Sequence, residues 1–253
     1  MNLLKKLLLF LLVFTITSQS VYSKTAQKEI EVETKDGYTI KATLSYEKIK
    51  DKNKYPTIVL LHSLGYSSGN WGTLIPELNN AGYAVIAIDL RGHGKSVYNS
   101  KLQIKSWIYF TPKAYQKFPS DVIAILKQAQ VQSKKVDFTN WGIVGADIGA
   151  NTAILTAKEF PHKPKAMILI SPSMNFKGLY VPIAMTEIGT MPILSMVSKQ
   201  DDYSIQEQKK LSKFAQGAFY AQNYPKGGMG MMMLKANPSM TKDIVSWLKT
   251  VVK

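Results

Sequence analysis

Short apolar runs alternate with helical stretches along most of this chain, and that alternation restricts the fold more than any other feature. Ile58-Val59-Leu60-Leu61 lies in a run, 56–62, that reads as a strand buried on both faces. A helical stretch over 71–81, closed by Gly82, leads to a second buried strand over 83–90. The cycle continues through a helix at 119–130, a strand at 141–145, a helix at 150–160 and strands at 166–171 and 192–197. A helix at 205–216, a strand at 218–222 and a helix at 240–252 complete it, the last with Ile244, Val245, Trp247, Leu248 and Val251 on one side. Ahead of these elements, 30–34 and 38–45 alternate apolar and polar residues around Asp36-Gly37, the signature of a tight hairpin. A leading hairpin followed by alternating strands and helices predicts an α/β fold. Its sheet is eight-stranded and mostly parallel, with helices on both faces and an N-terminal antiparallel hairpin.

A length of 253 residues, 45% of them hydrophobic, suits one large domain with a substantial core, placed here at 24–253. Cysteine is absent, which excludes disulfides, thiolate metal sites and a Cys nucleophile. Residues 1–23 read as a signal peptide, with Lys5 and Lys6 ahead of an apolar run from Leu7 to Val13 and small residues before Lys24. The expected location is therefore secreted, periplasmic or cell envelope. The formal charge is +15, or +13 without Lys5 and Lys6. The lysines are scattered, Arg91 is the single arginine, and no nucleic-acid motif accompanies them. We expect a cationic, solvated surface with weak attraction to an anionic envelope and no nucleic-acid partner.

Ligands of open α/β sheets collect at the carboxyl ends of the strands. Four segments fall there: Leu61-His62-Ser63-Leu64-Gly65, the run from Asp89 to Ser96, Gly145-Ala146-Asp147-Ile148-Gly149, and Ser198-Lys199-Gln200-Asp201 with the later Gly228-Met229-Gly230. The L-H-x-x-G turn, the D-L-R-G-H-G-K-S segment and the G-x-D-x-G elbow, in that order, resemble the α/β-hydrolase superfamily. The likeness covers essentially the whole mature chain. It is greatest to the small capless serine hydrolases, the dienelactone-hydrolase-like and serine-aminopeptidase or monoacylglycerol-lipase-like groups. Only residues 174–190 separate two neighbouring strands, too few for a large cap, so a shallow, open site is expected.

The resemblance places Asp147 where most capless relatives carry a Ser nucleophile and where haloalkane dehalogenases and epoxide hydrolases carry Asp. At the elbow Asp147 is either a carboxylate nucleophile or a cap on the following helix. Met229 stands where the family has its catalytic His, and a thioether accepts no proton. His62 and His93 match structural histidines of the family, and His162 lies away from the strand carboxyl ends. Asp201, with Asp202 as the adjacent alternative, matches the acid that orients the missing His, or caps the helix entering at Ser204. The expected oxyanion donors are the backbone N–H groups of Leu64 and Ile148. The resemblance thus implies an esterase or peptidase homologue with a degenerate triad, weak or inactive as a hydrolase and binding a small acyl or apolar ligand. Its alternatives are an Asp-nucleophile hydrolase and an ester hydrolase with a relocated base. No cofactor and no metal are expected. Met229, Met231, Met232 and Met233 raise a Cu(I)-type site, against which flexible core filling is the favoured reading. Trp71, Tyr180 and Tyr203 are candidates for an aromatic wall at the mouth.

Overall fold

The computed structural model describes residues 25–253, so the signal-peptide expectation for 1–23 lies outside the described residues. The hairpin pairs β1 (Thr25–Glu33) with β2 (Thr39–Glu47). There follow β3 (Tyr55–Leu61), α1 (Leu74–Asn80), β4 (Ala84–Asp89), α2 (Phe118–Gln132), β5 (Val136–Ala146) and α3 (Ile148–Glu159). After β6 (Ala166–Ile170) a two-stranded ribbon, β7 (Asn175–Phe176) and β8 (Leu179–Tyr180), leads into α4 (Pro182–Glu187). The chain ends with β9 (Ile193–Ser198), α5 (Asp202–Leu211), β10 (Phe219–Tyr224), α6 (Met232–Ala236) and α7 (Ser239–Val251). The main sheet has eight strands in the order β1-β2-β4-β3-β5-β6-β9-β10. It is antiparallel over its first two pairings and parallel from β4 onward, the sheet the alternation predicts.

Side chains on a strand alternate between faces, and that splits the apolar interior into two cores. On β3, Val59 and Leu61 join one cluster with Phe118, Val122 and Ile125 of α2 and Ile148 and Ile154 of α3. Ile58 and Leu60 join the other, with Leu74 and Leu78 of α1 and Ile244 and Leu248 of α7. All the described strands and both cores lie within 25–253.

Two boundaries differ from the sequence expectation for identifiable reasons. The helix expected over 71–81 is a 3-10 turn at Ser68–Trp71 and then α1, because Gly72 at φ +55 breaks the helical backbone between them. The helix expected over 205–216 starts earlier, at Asp202. There Asp201 occupies the N-cap position and its Oδ1 accepts the Ser204 N–H at 3.0 Å.

Candidate active site

The nucleophile elbow is dictated by two glycines. A Cβ on Gly145 would overlap the carbonyl oxygen of Gly149, and one on Gly149 would overlap that of Leu61. With both small, β5 turns sharply into α3, and Asp147 takes φ +54 and ψ −116 between them. The strained residue is held from both sides of the turn. Its N–H donates to the Ile170 carbonyl, and its own carbonyl accepts from Ala150.

At the helix N-cap position the Asp147 side chain makes no capping bond, so the capping alternative is corrected. Its Oδ2 instead accepts the Leu64 N–H at 3.1 Å, across from the turn after β3. The Ile148 N–H adds a second backbone contact that favours the ionised carboxyl. Of the two groups expected to form an oxyanion hole, the Leu64 N–H is thus already taken by the elbow carboxylate. Oδ1 is buried and without a partner among the described residues.

Burial pushes the Asp147 pKa up to about 6. The Leu64 and Ile148 N–H groups oppose that shift, and the charge of Asp201 adds to it. A carboxylate beside an imidazolium would move the other way.

No histidine supplies a partner. His62 is fully buried; its Nδ1 bonds the Ser63 carbonyl at 2.8 Å and its Nε2 accepts the Leu90 N–H at 3.0 Å. Burial lowers its pKa to about 3, so it is the neutral Nδ1-protonated tautomer, wholly used in holding the β3 and β4 loops together. His93 bonds the Arg91 carbonyl through Nδ1 and stacks on Trp107, with centroids 5.4 Å apart. His162 neighbours Phe160 and offers its carbonyl to the Trp141 indole, remote in sequence from every strand-end segment.

The loop carrying Met229 closes over the elbow. The Gly230 N–H donates to Ser171 Oγ at 2.9 Å and the Met231 N–H to Ser63 Oγ at 3.0 Å. Gly230, at φ +60, comes so near that an added Cβ would lie 3.1 Å from the Asp147 Cβ and overlap Ser63 Oγ. Residue 229 is the chain neighbour of this glycine in the loop. Ser63 and Ser171 were not singled out in the sequence; a serine at a strand end carries no periodic signal of a partner far along the chain.

The expectation of an open site needs correction. Asp147 is only 3% exposed, because Gly230 and its flanking N–H bonds fill the space a cap would otherwise cover. A cavity of about 870 Å³ is lined by Tyr66, Trp71, Met231, Met232, Leu234 and Lys235 among others, and not by Asp147, Leu64 or Ile148. Trp71 belongs to its wall, whereas Tyr180 and Tyr203 stand exposed elsewhere, so the three do not form one aromatic wall. Met231 and Met233 are buried in the second core, and Met233 Sδ accepts the Ser171 hydroxyl at 3.6 Å, which fits the core-filling reading of the methionines. Asp201 keeps its other oxygen, Oδ2, buried and unpartnered while Oδ1 caps α5.

Solved structures share this fold at low identity. A dienelactone hydrolase from Anabaena variabilis superposes with a TM-score of 0.70 at 14% identity, over 91% of this chain and all of that one. An acetyl xylan esterase from Paenibacillus sp. R4 gives 0.71 at 15%, over 92% and 86%. Among characterised sequences, epoxide hydrolase B of Mycobacterium tuberculosis is 36% identical over 89 residues, which are 34% of this chain and 22% of that protein. A putative esterase/lipase of Haemophilus influenzae is 26% identical over 141 residues, 54% of this chain and 42% of its own length. The chain thus spans under half of the length of either relative. The family model for serine aminopeptidase S33 matches residues 52–246. With that span carrying the elbow, the Leu64 turn and the Met229 loop, the chain belongs to the serine aminopeptidase S33 family of α/β-hydrolases.

Proposed function

We propose that this chain is an exported, triad-degenerate member of its family that does not hydrolyse esters or peptides by the serine route and instead binds a small acyl or apolar ligand. One observation carries the reading: the Asp147 carboxylate accepts the Leu64 N–H that would have to receive a tetrahedral oxyanion. An acyl group entering the site would meet a negative charge where its own negative charge must develop. With a methionine at position 229 and no histidine bonded to Asp147, no imidazole serves there as a general base to activate water. The cavity bordered by Gly227 and Met231 has the size and the mixed apolar lining of a ligand pocket, and Lys235 adds a cationic group to its wall. The test is steady-state hydrolysis of p-nitrophenyl acetate and butyrate by residues 24–253. The expected rate is indistinguishable from that of Asp147→Ala. Robust turnover that disappears in Asp147→Ala contradicts the reading.

A second reading has its own support. Oδ2 is held by the Leu64 N–H while Oδ1 is unpartnered, the disposition of a carboxylate nucleophile, and one relative is named an epoxide hydrolase. Attack on an epoxide carbon would form an ester as the ring C–O bond breaks and the ring oxygen takes a proton. Without a base beside it, that ester would persist. Intact-mass measurement after incubation with a small epoxide separates the readings: a stoichiometric adduct on Asp147 favours this one, and an unchanged mass favours the first.

A further inference from the structure

We propose that the loop between β4 and α2 is a docking surface for an anionic lipid bilayer. From residue 90 to residue 120 there is no acidic residue, while Lys95, Lys101, Lys105, Lys113 and Lys117 all lie there. The same stretch holds the largest concentration of bare apolar side chains among the described residues. Leu102 is 81% exposed, Ile104 69%, Ile108 66% and Tyr109 85%, with Tyr98 partly exposed beside them. Soluble surfaces rarely gather large apolar side chains in this way without a partner for them.

The loop is built to hold these side chains outward. Its base is anchored by Trp107, stacked on His93, and by the Tyr115 hydroxyl donating to the Trp107 carbonyl at 3.0 Å. At the tip, Asn99 Oδ1 accepts the N–H groups of Lys101 and Gln103, and the turn so formed holds Leu102 at φ +58. A leucine in the left-handed region costs about 1 kcal/mol relative to glycine or asparagine, so the local fold alone does not explain its presence. Lys95 is paired with Glu29, whereas Lys101, Lys105, Lys113 and Lys117 make no ion pair among the described residues. Lys101 and Lys105, unpaired and flanking Leu102 and Ile104 in the chain, with Tyr109 exposed four residues on, match a bilayer surface. The lysines meet anionic headgroups, and Leu102, Ile104 and Ile108 enter the acyl boundary. Charge complementarity selects this occupant over a second copy of the chain, whose surface is cationic as well. Trp107 lies against Gly65, and the next residue, Tyr66, lines the cavity, so a docked molecule would hold that cavity close to the lipid.

Co-sedimentation with vesicles tests this without reference to catalysis or to a cavity ligand, so its failure is distinguishable from failure of the ligand-binding reading. Residues 24–253 are mixed with phosphatidylcholine vesicles containing phosphatidylglycerol and, separately, with pure phosphatidylcholine. The expected result is binding to the anionic vesicles alone. It should fall about 100-fold in the triple variant Lys101→Gln, Lys105→Gln, Lys113→Gln, and about tenfold or more in Leu102→Ser, Ile108→Ser. All these positions are exposed, and circular dichroism checks that each variant is folded. Three results overturn the proposal. The first is no binding to anionic vesicles. The second is equal binding by the parent and both variants, which would assign it to the general positive charge. The third is concentration-dependent self-association lost in Leu102→Ser, Ile108→Ser without vesicle binding, which would make the patch an interface between copies.

Discussion

Asp147→Ser combined with Met229→His is expected to create esterase activity, at least about 10³-fold above the parent on p-nitrophenyl acetate, while either substitution alone yields little. The elbow already provides most of what a serine route needs. Replacing Asp147 by Ser removes the carboxylate that occupies the Leu64 N–H, and so frees that donor for a developing oxyanion. The serine inherits the strained backbone that presents the side chain at the head of α3. Residue 229 adjoins Gly230, where an added Cβ would lie 3.1 Å from the Asp147 Cβ, and Asp201 retains a buried, unpartnered Oδ2 to accept from the new imidazole. Nucleophile and base act as a unit, so the effect is strongly non-additive. An inactive double variant that folds as the parent does would mean that the 227–231 loop holds residue 229 in the wrong orientation.

Arg91→Met is expected to cost about 3–5 kcal/mol at neutral pH, read from urea denaturation, or roughly 10 °C in Tm. The chain's single arginine is buried and shared between two carboxylates. Its Nε and Nη2 each reach Asp121 at 2.7 Å, and its two terminal nitrogens bond both oxygens of Asp36. The guanidinium also lies over the Tyr38 ring, 4.1 Å from the centroid. The Asp36 pair ties the β1–β2 turn to the loop after β4, and the Asp121 pair ties that loop to α2. Asp36 is half-exposed, and the Arg91 guanidinium holds its carboxyl at about 2. Asp121 is the expensive partner. Burial already pushes its pKa up against the pull of Arg91, and without the guanidinium its charge stays buried and unpaired. Adding Asp121→Leu to Arg91→Met should recover most of the loss, because an apolar pair removes the stranded charge. A loss below about 1 kcal/mol in the single variant would show that the network carries little of the stability.

Much of this was legible in the sequence, because the relevant signals are local. Every strand of the main sheet coincides with a short apolar or alternating run, and Gly145 and Gly149 announce the elbow by spacing alone. Asp147 and Leu64 meet, with the Gly230 backbone close by, because strand order fixes which loops share the carboxyl edge. What stayed hidden depends on contacts between segments far apart in sequence. The bonds that close the 227–231 loop join Gly230 to Ser171 and Met231 to Ser63, separated by 59 and 168 residues, and no periodicity reports them. The same holds for the capture of the Leu64 N–H by Asp147, 83 residues away. The ribbon at β7 and β8 and the helix α4 occupy residues 174–190, where the sequence suggested only a short connection, because two-residue strands leave no hydrophobic pattern.

The elbow carboxyl is buried, with the Leu64 N–H on one oxygen and no imidazole bonded to the other. An NMR titration of the isotopically labelled Asp147 side-chain carboxyl, its resonance assigned by its loss in Asp147→Asn, measures this directly. A single step near 6, unchanged when His62 or His93 is substituted in a variant that stays folded, is the predicted result. A midpoint below about 4, or a titration coupled to a histidine, would place a proton acceptor beside the elbow and contradict the account.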